Sequence, residues 1–119
     1  MSVLSLLSGT CEAVEGGFLC TLMTLDGIPV ESSANEEICR KIETNSLMAD
    51  VADSISQLRR SLIESGHSGP DEMVICTDQC SVIVRPIGDQ HLLALAIEPG
   101  GSIGKGRHAL KMSAAGISL

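Results

Sequence analysis

Hydrophobic positions at the start of the chain fall at helical spacing. Val3, Leu4, Leu7, Cys11 and Val14 share one face, and Gly16-Gly17 ends the helix they predict. Phe18–Leu25 is then rich in strand formers. Asp26-Gly27 follows and predicts a type I′ hairpin turn, with Ile28–Ser32 as the return strand. Pro29 has no N–H to give to a ladder, so this strand belongs at a sheet edge. The period then changes. Glu36 to Glu64 reads as one long helix, opened by Ser33 and Glu36 at capping-box spacing and closed by Gly66. After a polar loop, His67–Asp71, the segments Glu72–Thr77 and Ser81–Pro86 predict a second hairpin across Asp78-Gln79. Gly88-Asp89-Gln90 turns into His91–Glu98, an apolar strand expected to be buried on both faces. Pro99-Gly100-Gly101 breaks it, and a last helix is expected from about Ser102 to the C-terminus. The fold class this order predicts is α/β of the α+β type: one five-stranded antiparallel sheet with helices on both sides.

The long helix carries too much apolar surface for one neighbour. Twenty-nine residues span roughly 43 Å, against an expected diameter near 35 Å for a domain of this length. At 100° steps its apolar positions fill an arc of about 220°, twice the roughly 100° that a helix on one sheet needs. The opposite sector is acidic: Glu36, Glu43, Asp50, Asp53 and Glu64, with Gln57. Half of the apolar face therefore calls for a second partner.

Composition narrows the function classes. Phe18 is the only aromatic residue in 119, and the net charge is −7. Nucleic-acid binders need basic stripes and often aromatic planes, so no nucleic-acid partner is expected. The acidity lies early: residues 1–64 hold ten acids against four bases, residues 65–119 five against four. No membrane insertion is expected, because the longest purely apolar run, Leu92–Ile97, has six residues where a span needs about 20. The N-terminus lacks the basic residues of a signal peptide, and no lipidation motif marks either end. Five cysteines at irregular spacing then read as reduced thiols of a cytoplasmic protein.

Several motifs invite chemistry and fall short of it. Gly100 to Gly106 mimics a phosphate loop, but Pro99 stands where its first glycine belongs and Gly106 replaces the magnesium-binding hydroxyl. Gly104-Lys105-Gly106-Arg107-His108-Ala109 resembles a dinucleotide fingerprint, yet no strand or acidic residue follows to hold a ribose. Both read better as a glycine-rich turn into a helix. Lys105, Arg107, His108 and Lys111 form the one local basic cluster, best read as solvated helix surface. Cys76 and Cys80 flank a short turn, but lack redox-pair spacing and a histidine pair for metal. His67, His91 and His108 are scattered, and no nucleophile elbow precedes a helix. No enzyme, cofactor or metal site is expected.

At this point the chain resembles the roadblock/dynein light chain family. The residues that carry the resemblance are Leu25-Asp26-Gly27-Ile28-Pro29-Val30 before the long helix, Arg85-Pro86-Ile87-Gly88 before Leu92-Leu93-Ala94-Leu95, and Ile103-Gly104 before Arg107. It covers essentially residues 1–119 as a single domain, in the same element order. The resemblance implies the strand order 2-1-5-4-3, with helices 1 and 3 on one face and the long helix 2 on the other. It also implies a homodimer built by pairing third strands and packing second helices. Met73, Val74, Ile75 and Cys76 would supply the strand contact. Leu47, Met48, Val51, Ile55, Leu58 and Leu62 would supply the helix contact. The third strand fits this role on its own residues, having neither Pro nor Lys to blunt its edge. The family implies a non-catalytic platform for a small Ras-like GTPase, with Glu43, Asp50, Asp53, Arg59 and Arg60 as partner contacts. Beside the gliding-motility type the chain has no extension after its third helix, so the expectation is GTPase binding. A constitutive structural adaptor is the alternative, and a redox sensor using Cys76 and Cys80 a third.

Overall fold

The computed structural model describes residues 2–119. The elements are α1 (Val3–Ala13), β1 (Gly17–Thr24), β2 (Pro29–Ala34), α2 (Glu36–Ile42), α3 (Thr44–Glu64), β3 (Met73–Cys76), β4 (Ser81–Ile87), β5 (His91–Ile97) and α4 (Ile103–Ala115). The five strands form one antiparallel sheet in the order β2-β1-β5-β4-β3, as expected. Alternation along the strands divides the core in two. Leu92, Ala94 and Ala96 of β5 face α3 through Met48, Val51, Ala52 and Ile55. Leu93, Leu95 and Ile97 face α1 and α4 through Leu7 and Leu110. The central strand β5 is thus buried on both sides, and β2 with Pro29 takes one sheet edge while β3 takes the other. Among the described residues no helix is long and apolar enough to cross a membrane.

The expected single helix from Glu36 to Glu64 is two helices. Glu43 sits between them at φ 56° and ψ 54°, the left-handed region that costs a non-glycine residue roughly 1–2 kcal/mol. Length supplies one reason for the break. A straight helix of about 43 Å would overrun a molecule whose extents are 40 × 34 × 25 Å. Local sequence supplies another, because Thr44, Asn45 and Ser46 are weak helix formers that compete for backbone hydrogen bonds. The turn brings Ile38, Cys39 and Ile42 of α2 onto the same core that α3 covers. Glu43→Gly should therefore stabilise the protein by about 1 kcal/mol, the relieved strain exceeding the added chain entropy. A raised urea midpoint at unchanged slope is the expected reading.

Two smaller expectations also change. Asn35, not Ser33, caps α2, its Oδ1 accepting from the Ile38 N–H at 3.2 Å. Ser33 instead belongs to β2 and hydrogen-bonds the Ser8 hydroxyl of α1 at 3.2 Å. The turn at Asp26-Gly27 is not type I′, since only Gly27 of the two has positive φ (83°). Gly27 donates to the Thr24 carbonyl at 3.0 Å, and the ladder then skips from Glu31 to Pro29 through a bulge. Gly66, with φ 88°, does close α3 after the C-cap Ser65. His67 N–H bonds the Leu62 carbonyl at 2.8 Å and Gly66 N–H that of Ile63 at 3.1 Å, which is the Schellman arrangement.

Candidate assembly and partner-binding surface

The strand β3 pairs with β4 alone, so its outer edge is open. Met73 and Ile75 point to the α3 side and pack on the core, while Val74 is 38% exposed and Cys76 exposed on the other side. The sequence-predicted strand residues therefore lie together on one edge. The predicted helix residues divide. Met48, Val51 and Ile55 are buried against the chain's own sheet and leave little surface for a second molecule. Leu47 and Leu62 are half-buried, and Leu58 is 40% exposed. The surplus apolar arc is thus smaller than 220°, because the break at Glu43 turns Ile38 and Ile42 onto a different axis.

The acidic ridge shortens for the same reason. Asp50, Asp53 and Glu64 remain on α3 with Gln57, whose Nε2 donates to Asp53 Oδ2 at 2.7 Å. Glu43 stands apart, on the rim of a cleft of about 450 Å³ between α2, the start of α3 and the β1–β2 hairpin. Asp53 and Arg60 meet at a second recess, beside Leu25 and Asp26 of the β1–β2 turn. Arg59 is half-buried over Gly69 and pairs with Asp89 at 3.4 Å. Of the five proposed partner residues, Asp53 and Arg60 therefore share a recess, Asp50 lies on the same helix, Glu43 stands apart and Arg59 is paired with Asp89. Sequence reasoning missed the docking of the β1–β2 turn on α3. Its signal was a glycine in a turn that packing, and not only φ, requires.

The other candidate chemistry is accounted for locally. Ser102 caps α4, its Oγ accepting from the Lys105 N–H at 3.2 Å. A Cβ on Gly106 would meet Ile97 Cδ1 at 2.6 Å and Ile83 Cδ1 at 2.8 Å, so this glycine lets α4 lie close on the sheet. Cys80 is buried in the core while Cys76 is exposed, and all five cysteines are free. Burial, with the nearby Cys39 thiol, raises the Cys11 thiol from 9.0 to about 11, and burial pushes Cys20, Cys39 and Cys80 upward too. A folded-state value above the unfolded one supports the fold below pH 9.0 and is lost as pH rises towards about 11. Urea midpoints should accordingly fall between about pH 9 and 11, and a Cys11→Ala variant should flatten the fall. No three His, Cys, Asp or Glu side chains among the described residues could hold a metal.

This geometry has solved counterparts. MglC from Myxococcus xanthus superposes with a TM-score of 0.79 at 23% identity, over 98% of this chain and 96% of that one. A Roadblock/LC7 domain from Streptomyces avermitilis gives 0.79 at 16% identity, over 98% and 94%. This is the roadblock fold. A structure of MglB in a tetrameric arrangement gives 0.81 at 18% identity, over 96% of this chain and 83% of that one. No protein-family model matches the sequence, and no curated protein matches it either. In this chain the fold has the sheet order β2-β1-β5-β4-β3, an open edge at β3 and a helix layer on each face.

Proposed function

We propose that this chain is a homodimeric, non-catalytic roadblock platform that binds and regulates a Ras-like small GTPase in the cytoplasm. The observation that carries the reading is the open edge of β3, apolar through Met73, Val74 and Ile75 and without a blunting Pro or Lys. An edge of that kind is an aggregation hazard unless a second strand pairs with it. Pairing with a symmetry mate would extend the sheet through two subunits. Leu58 and Leu62 on α3 would add the helix contact, and Met48, Val51 and Ile55 would support it from within. The GTPase assignment follows from the roadblock resemblance, and the ridge of Asp50 and Asp53 with Arg60 would contact the partner electrostatically. Sedimentation at micromolar concentration tests the dimer, and a stable monomer would sink it. Titration with a small GTPase loaded with GDP or a non-hydrolysable GTP analogue tests the partner. Binding to one nucleotide form supports regulation, whereas equal binding to both supports a constitutive adaptor.

A further inference from the structure

The entry to β3 is held by charge. Glu72 is the residue before the strand, and its side chain is 13% exposed. Arg85 Nη1 of β4 approaches Glu72 Oε1 at 3.4 Å, and Arg107 Nε of α4 donates to Glu72 Oε2 at 2.5 Å. The register explains the meeting. Met73 pairs with Val84, so Glu72 falls opposite Arg85 as a cross-strand pair. Alternation then puts Glu72 and Arg85 on the α4 side of the sheet, where Arg107 reaches them.

Among the described residues, no other side-chain hydrogen bond or ion pair ties β3 on that side. Its ladder to β4 is four residue pairs long, its buried contacts through Met73 and Ile75 lie on the α3 side, and Val74 and Cys76 are exposed. The residues before it, 65–68 and 71, are exposed as well. A carboxylate with each oxygen on a different guanidinium is fixed in direction as well as in place. Removing its charge leaves two arginines crowded around a neutral group.

We infer that Glu72 is the positioning residue of the assembly edge. By clamping the start of β3 to β4 and α4, it presents the outer edge of the strand in the register that a second copy pairs with. This rests on the proposed dimer. Arg107, more exposed than Arg85 at 58% against 20%, is the arm that salt loosens first.

The test compares the full-length wild type with Glu72→Gln, Arg107→Gln and, as a control for net charge, Glu12→Gln on α1. Sedimentation equilibrium gives the dimer constant and amide hydrogen exchange gives local order. Glu72→Gln should weaken dimerisation about tenfold and speed exchange at β3 while β5 stays protected. Arg107→Gln should do the same more weakly, and Glu12→Gln not at all. A Glu72→Gln dimer as tight as wild type overturns the inference while the dimer stands. A uniform rise in exchange across β3 and β5 also overturns it, because Glu72 would then support the whole fold. A monomeric wild type fails the dimer itself; acceleration of Glu72→Gln exchange confined to β3 would then retain the clamp as a local anchor and remove its assembly role.

Discussion

Val74→Lys is expected to turn the proposed dimer into a monomer at micromolar concentration. Val74 is exposed on the edge strand, so the isolated subunit tolerates the change; surface substitutions of this kind usually fall within about 0.5 kcal/mol. The proposed interface would respond differently, because a two-fold axis applies each substitution twice. Two apolar contacts are lost and two ammonium groups are brought near one another across a short pairing. Lysine on an edge is also a common natural device against strand pairing. A loss of about 3 kcal/mol corresponds to a dissociation constant raised about 100-fold. Sedimentation equilibrium reads the shift, and a urea melt with an unchanged midpoint for the monomer shows that the fold survived. A Val74→Lys dimer as tight as wild type would place the interface elsewhere. Leu58→Glu on α3 makes a useful second variant, since it disturbs the helix contact and leaves the strand edge intact.

The sheet was legible in the sequence because its signals are local and redundant. Pro29 marks an edge whatever the neighbouring strands do, and the six-residue apolar run of β5 fits only the middle of a two-sided core. Turn residues at 26–27, 78–79 and 88–90 bounded the strands to within a residue or two. The helix break was not legible in periodicity. Ile38 and Ile42 keep helical spacing with Ala49 and Ala52, and one left-handed residue interrupts the chain without interrupting the pattern. The run Glu43-Thr44-Asn45-Ser46 was the available sign, and it is a weak one because tertiary packing routinely overrides propensity. The candidate surface divided the same way. Which residues lie on β3 could be read by alternation. Which α3 residues remain free could not, because an apolar arc does not say how much of itself the chain's own sheet will cover. Glu72 was invisible for a further reason: its two partners lie 13 and 35 residues away, a coincidence only the fold creates.

Gly27→Val should produce the largest loss of stability of any substitution considered. Gly27 is buried in the β1–β2 turn at φ 83°, where a β-branched residue is strained regardless of its neighbours. The neighbours make matters worse. A Cβ there would stand 2.8 Å from the Ala49 Cα and 2.9 Å from the Met48 carbonyl oxygen. These are backbone atoms of α3, so no rotamer change relieves the clash, unlike Gly106, whose neighbours are flexible isoleucine ends. Left-handed strain of roughly 1–2 kcal/mol adds to an overpacking cost of about 1–3 kcal/mol. The expected total is about 2–5 kcal/mol, a large fraction of the stability of a small domain. A urea melt measures it, and Gly66→Val supplies the comparison. Gly66 has φ 88° but nothing within 4 Å of its would-be Cβ, so it carries the strain without the collision. Equal losses at both sites would mean that the turn does not press on α3. A loss at Gly27 larger by 1–3 kcal/mol is the signature of the contact. Because that contact sets the β1–β2 turn beside Asp53 and Arg60, Gly27→Val should also weaken the proposed GTPase binding in any molecules that remain folded.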